Sequence, residues 1–161
     1  MKEHVVEGRT TISESDAPTS AETLMLLDEA RRIAHKAYAP YSRFRVGAAA
    51  LLDNGEVVSG SNQENAAYPS GLCAERVTVF YANAHYPDAK IMRLMIYAET
   101  DNGPVERPIT PCAACRQVLL EKESVQGSPI RVSLAGADSI YNVGSVSQLV
   151  PLSFVPKSLE G

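Results

Sequence analysis

The stretch Val46-Gly-Ala-Ala-Ala-Leu-Leu52, Asp53-Asn-Gly55, Glu56-Val-Val-Ser-Gly-Ser61 decides the fold class. Two β-prone segments flank a turn whose asparagine and glycine tolerate positive φ, so the stretch reads as a β-hairpin. Gly47 to Ala50 carry almost no side-chain volume, which predicts that another element packs close to that strand. Downstream, the pattern alternates. Val77, Phe80, Tyr81 and Ala84 form one helical stripe, Ile91 to Ala98 an apolar strand, Cys115, Val118 and Leu119 a second stripe, and Ile130 to Ala135 another strand. Strand–helix alternation implies right-handed crossovers and a partly parallel sheet covered by helices.

Upstream, Thr19-Ser20-Ala21-Glu22 reads as a capping box. Leu26, Ala30, Ile33 and Ala37 then share a helical face, with Asp28, Arg31, Arg32 and His35 opposite and Pro40 as the stop. Val5 to Ile12 alternates weakly, the pattern of an edge strand or of a flexible arm. A short helix is expected from Ser145, ended by Pro151. Neither a repeat nor a linker interrupts the chain, so residues 1–18 read as a polar N-terminal extension and 19–161 as one domain.

A chain of 161 residues with 45% hydrophobic content is long enough to bury a core. Its net charge of −4 gives no electrostatic footprint for nucleic acid, and Arg31-Arg32 reads as part of a solvated helix face. The polar start Met1 to Val6 is not a signal peptide, and no apolar run approaches the ~18 residues of a membrane span. Three cysteines, two in a Cys-x-x-Cys pair, fit a reducing compartment and metal ligation better than a disulfide framework. A cytoplasmic location is expected.

Those cysteines occupy two phrases, Gly71-Leu72-Cys73-Ala74-Glu75-Arg76 and Pro111-Cys112-Ala113-Ala114-Cys115-Arg116-Gln117, each of which opens a helix. Three thiolates with a fourth position left open are the ligand set of a catalytic zinc. The positive end of a helix favours the thiolate form. Arg76, Arg116 and Gln117 are candidates for donating to the sulfurs and offsetting their excess negative charge. Glu75 lies about 200° around the helix from Cys73, so it can face the open position and serve as an acid–base group. The alternatives are a structural zinc closed by His4, His35 or His85, an inert cysteine beside a redox pair, and a glutamate that merely stabilises a helix dipole.

Four phrases in order, Tyr38-Ala-Pro-Tyr-Ser-Arg-Phe-Arg-Val-Gly-Ala-Ala-Ala50, Asn62-Gln-Glu-Asn-Ala-Ala-Tyr68, Gly71 to Arg76 and Pro111 to Gln117, resemble those of the short, three-cysteine cytidine deaminases. The resemblance spans Tyr38 to Phe154. It implies a three-layer α/β/α sandwich around a mixed, partly parallel five-stranded sheet, with one Zn2+ per subunit held by Cys73, Cys112 and Cys115. It implies hydrolytic deamination of cytidine and 2′-deoxycytidine in pyrimidine salvage. Glu75 would take a proton from the attacking water, deliver it to ring N3 and later protonate the departing amino group. Asn62 and Glu64 match a pair that recognises the ribose 3′-hydroxyl. Phe44 matches an aromatic that packs on the nucleoside, and the Ala74 backbone is expected at the pyrimidine edge.

The same resemblance implies a homotetramer in which Ala66, Tyr68 and Phe154 reach a neighbouring subunit's site. Partners are therefore expected to be a small nucleoside and further copies of the chain, with no nucleic acid and no membrane. Ala113 departs from the family's usual glycine and is tolerated only if its backbone is helical. Rival readings are a deaminase of modified cytosine nucleosides, which should lack the ribose pair, and a polynucleotide deaminase, which needs a cationic channel. A non-catalytic zinc module would need a fourth ligand and no Glu75.

Overall fold

The computed structural model describes residue 10, residues 12–15 and residues 20–159. Strands β1 (Ile12–Ser15), β2 (Arg45–Leu52), β3 (Val57–Ser61), β4 (Ile91–Thr100), β5 (Gly103–Pro104), β6 (Arg131–Ala135) and β7 (Ile140–Val143) form one sheet. Its order is β1-β7-β6-β4-β2-β3, and the two-residue β5 pairs with the end of β4. Only β4 and β6 pair in parallel, and the other pairings are antiparallel. The sheet has seven strands rather than five. The four strands placed from sequence are β2, β3, β4 and β6, to which β7, a short hairpin partner of β4 and an N-terminal edge strand are added. That edge strand lies at Ile12–Ser15, C-terminal to most of the Val5–Ile12 stretch, whose first residues lie outside the described set.

Helix α1 (Ala21–Ala34) covers one face, burying Leu26, Leu27, Ala30 and Ala34 against Ala49, Met95 and Tyr97. Helices α2 (Ala74–His85) and α3 (Ala113–Gln126) cover the other, where Val79 and Leu119 meet Ala48, Ala50, Leu94 and Ile96. The three-layer sandwich follows from this division. Gly47 explains the close fit of α1, since a Cβ there would lie 2.0 Å from the Ala30 carbonyl oxygen. Gly60 does the same for α2, where a Cβ would lie 2.9 Å from the Thr78 backbone nitrogen.

Local details differ from the expected ones. The N-cap of α1 is Ser20, whose Oγ accepts from Thr23 N at 3.1 Å. Glu22, free of a capping role, faces Arg93 at 3.2 Å. The helix stops at Ala34, well before Pro40, so Ala37 falls outside it and Ile33 is only partly covered. In α2 the buried face is Ala74, Glu75, Thr78, Val79 and Ala82, whereas Phe80, Tyr81 and Ala84 point outward. The turn after Ser145 is a single 3-10 turn, Val146–Leu149, that ends before Pro151.

Glu29 ties α1 to the hairpin: it accepts from Arg32 Nε at 2.7 Å and from Ser59 Oγ on β3. The arginine, assisted by Ser59, holds its carboxyl below the ordinary value of 4.5 against the opposing effect of burial. A folded-state pKa below the unfolded one contributes stability that is present above 4.5 and is lost as pH falls through the folded value. Two outcomes are expected in denaturant titrations. Glu29→Gln should cost about 1 kcal/mol at pH 7, a deficit that closes as wild type is acidified below its folded-state pKa. Gly47→Ala should cost about 1–3 kcal/mol because α1 must move off the sheet.

Candidate active site

Strands β3 and β4 both run antiparallel to β2 and hence parallel to each other, so the chain leaves them at the same edge of the sheet. The segments that follow lead to Cys73, the N-cap of α2, and to Cys112, the N-cap of α3. Cys115 lies in the first turn of α3. Their sulfurs are brought within 4.8 Å of one another, with Cys73 to Cys112 at 3.8 Å and Cys112 to Cys115 at 3.4 Å. Three sulfurs at zinc–sulfur bond length in a tetrahedron lie about 3.8 Å apart, so the donor set fits zinc.

The histidines do not close this site. His35 Nδ1 lies 3.1 Å from Glu99, and His85 stacks on Tyr81 with ring centroids 3.9 Å apart. His4 lies outside the described residues. Among the described residues the cluster therefore consists of the three cysteines alone, an open set. Ala113 begins α3, and the one non-glycine described residue with positive φ is Arg43, at 54°. The alanine between the cysteines is therefore unstrained.

Electrostatics at the cluster are divided. A hydrogen bond from the Cys115 thiol, supported by Arg76, pulls Cys73 down to about 5. That donation to Cys73, together with burial and the nearby Glu75 charge, pushes Cys115 up. Arg76 Nη2 donates to Gly71 O at 3.2 Å and reaches Cys73 Sγ at 3.8 Å. Arg116 and Gln117 do not reach the sulfurs. Arg116 donates to the carbonyls of Pro111 and Leu149 and to Thr110 Oγ1, and Gln117 Nε2 donates to Phe154 O at 2.8 Å. Free backbone carbonyls beyond the helix start outcompete weak sulfur acceptors. These two side chains fasten the loop before α3 and the C-terminal segment.

Glu75 is 4% exposed, and burial raises its pKa above the ordinary carboxylate value. It lines a cavity of about 740 Å³ together with Cys73, Cys112, Phe44, Asn62 and Glu64. Ala74 is buried in the first turn of α2 beside it. Cys73, Cys112, Glu75, Phe44, Asn62 and Glu64 thus share one cavity, although 39 positions separate Cys73 from Cys112. Asn62 Oδ1 accepts from Val46 N at 2.8 Å and Nδ2 donates to Phe44 O at 2.9 Å. The Glu64 carboxylate accepts from Tyr41 N at 2.9 Å, Ser42 N at 3.3 Å and Ser42 Oγ. Both therefore also hold the Tyr38–Phe44 segment.

Ala66, Tyr68 and Phe154 are exposed, Tyr68 by 77% and Phe154 by 59%. Tyr68 lines the chain's own cavity, edge-on to Tyr41 at 6.2 Å, while Phe154 does not. Tyr41, Ser42, Leu72, Ile109 and Thr110 also line the cavity and were not singled out as site residues. Tyr41 and Ser42 sit inside the Tyr38–Ala50 phrase, but Ile109 and Thr110 carry no sequence signal of their own.

Comparison with known proteins agrees with this geometry. Residues 20–126 match the family described as the cytidine and deoxycytidylate deaminase zinc-binding region. The chain is 36% identical over 137 residues to the cytidine deaminase of Halalkalibacterium halodurans, covering 84% of this chain and 96% of that one. It is 47% identical over 98 residues to the cytidine deaminase of Mycobacterium tuberculosis, covering 60% and 68%. The crystal structure of cytidine deaminase from Burkholderia pseudomallei superimposes with a TM-score of 0.67 at 36% identity, covering 81% of this chain and 98% of that one. An open three-cysteine cluster beside a buried glutamate, on this sheet and within these relatives, has one assignment: the chain belongs to the cytidine and deoxycytidylate deaminase family.

Proposed function

We propose that the chain is a zinc-dependent hydrolase that converts cytidine and 2′-deoxycytidine to uridine and 2′-deoxyuridine with release of ammonia. The observation that carries the reading is a cavity lined by Cys73, Cys112, the buried Glu75 and the polar pair Asn62 and Glu64, with the Cys115 sulfur clustered behind the first two. One zinc ion per subunit, held by Cys73, Cys112 and Cys115, would supply the positive charge that makes water a nucleophile at neutral pH. Glu75 moves the protons. Burial raises its pKa, which makes its carboxylate a stronger base: it takes a proton from water, places it on ring N3 and returns one to the leaving 4-amino nitrogen. Asn62 and Glu64 supply both donor and acceptor for a 3′-hydroxyl, Phe44 an apolar wall, and Ala74 a side chain small enough to admit the ring.

Charge favours a nucleoside over its 5′-phosphate. Arg76 is the one cationic residue among those lining the cavity, and its guanidinium is directed to Gly71 O and Cys73 Sγ. Two carboxylates, Glu64 and Glu75, share the space and repel a phosphate.

The catalytic domain is residues 19–161, and the extension, residues 1–18, contributes the edge strand Ile12–Ser15 to its sheet. Exposed aromatics on α2, Phe80 at 46% and Tyr81 at 45%, with Tyr68 and Phe154, support a homotetramer in which Ala66, Tyr68 and Phe154 complete neighbouring sites. Three free cysteines support a reducing, cytoplasmic setting, and no described helix is long and apolar enough to cross a membrane; the substrates support a role in pyrimidine salvage.

Ultraviolet absorbance tests the reading. Zinc-loaded wild type should convert cytidine to uridine and leave cytidine 5′-monophosphate almost untouched. Glu75→Gln, folded and still binding zinc, should lose about 10²–10⁴-fold in kcat. Cys112→Ser should lower bound zinc as measured by metal analysis. A zinc-replete, folded wild type inactive on cytidine would overturn the proposal, and turnover of modified cytosine nucleosides alone would assign the chemistry to those substrates instead.

A further inference from the structure

Ser42 occupies a place that neither the mechanism nor the cysteine phrases explain. Its hydroxyl donates to Glu64 Oε1 and accepts from Phe44 N at 3.0 Å. Phe44 O in turn accepts from Asn62 Nδ2 at 2.9 Å. One polar chain therefore runs from Glu64 through Ser42 and Phe44 to Asn62. It joins both members of the polar pair and the aromatic wall, all of which line the same cavity.

The backbone around Ser42 is shaped for this role. Arg43 N donates to Ala39 O at 3.0 Å, and Arg43 takes φ +54°, a conformation that a side-chain-bearing residue adopts only when its surroundings impose it. The turn aims two successive N–H groups, of Tyr41 and Ser42, at Glu64 Oε2. On the outer side, Asp101 holds Arg43 at 3.6 Å and Arg45 at 2.9 Å. A carboxylate receiving three donors is fixed in orientation. These bonds lower the Glu64 pKa, the Ser42 hydroxyl contributing most.

We propose that Ser42 is the positioning residue of the sugar end of the site. Its hydroxyl sets Glu64 and Phe44 at once, so that recognition of the sugar hydroxyl and packing of the aromatic wall act as one unit. The role needs a group that donates and accepts through a single atom. Serine and threonine meet that requirement, whereas alanine does neither and cysteine does both weakly. The assignment rests on the nucleoside reading above and deepens it.

The test is a kinetic cycle with cytidine and 3′-deoxycytidine as paired substrates for wild type, Ser42→Ala and Ser42→Thr, each zinc-loaded. For Ser42→Ala, kcat/KM on cytidine should fall about tenfold, carried by KM, with kcat within about twofold. The preference for cytidine over 3′-deoxycytidine should shrink by a similar factor, because a loosened Glu64 no longer reads the 3′-hydroxyl. Ser42→Thr should restore both. Should Ser42→Ala fail to fold, Ser42→Cys makes the same comparison with nearly unchanged volume. An unaltered preference between the two substrates, or a loss carried by kcat alone, overturns the assignment while leaving the deaminase reading intact. Absence of cytidine turnover by wild type overturns both.

Discussion

The constraint on which the structure depends is that two helices must begin at the same point in space. A cation held by three sulfurs needs Cys73 and Cys112 at adjacent helix starts, and Cys115 one turn on. The sheet supplies this because β2 lies between β3 and β4 and runs against both, so the chain leaves β3 and β4 on the same side. The hairpin therefore determines where the first ligand can be. Small residues make the approach close enough. Gly60 and Ala48 admit the first turns of α2, where Thr78 Oγ1 donates to Ala48 O at 3.2 Å, and Gly47 admits α1 on the opposite face. A strand nearly stripped of side chains is what lets helices on both faces sit at backbone distance from it.

That geometry has an electrostatic consequence. Of the three thiols, Cys73 readily gives up its proton, aided by Cys115 and Arg76, while Cys115 holds its own beside Cys73 and Glu75. A single arginine does not neutralise three thiolates and a buried carboxylate. A divalent cation held by the three cysteines would, and it would favour release of the remaining thiol protons. The same cluster keeps Glu75 within a few ångströms of opposing influences: burial raises its pKa more than Arg76 lowers it. The residue is thereby suited to carry a proton rather than to remain a permanent charge.

Much of this was legible because the determinants are local. The hairpin, the alternation of strands and helices and the helix starts at the cysteines follow from periodicity, turn chemistry and spacing, whereas the order of strands in the sheet does not. The parts that were not legible depend on partners distant in sequence. Phe80 and Tyr81 look like a core stripe because hydrophobicity does not distinguish a face turned to the sheet from one turned away from it. Thr78, polar and wholly buried, is hidden from the same reading because its hydroxyl finds the Ala74 and Ala48 carbonyls. Arg116 and Gln117 stand next to a ligand in sequence, yet their length carries them to Leu149 and Phe154, and adjacency to a cysteine says nothing about where a long side chain ends.

Glu123 shows the cost of that limit most clearly, because it organises the C-terminus without belonging to any motif. It is 8% exposed and accepts from Ile130 N, Val146 N, Ser147 N and Ser145 Oγ, all between 2.7 and 3.0 Å. One carboxylate on α3 thus fixes the start of β6 and the 3-10 turn that leads to Phe154. Arg116 and Gln117 fasten the same segment from the other end of the helix. The helix that presents Cys112 and Cys115 at its N-terminus therefore also positions the C-terminal aromatic. In an assembly where that aromatic enters a neighbour's site, any tilt of α3 would be felt at two sites rather than one.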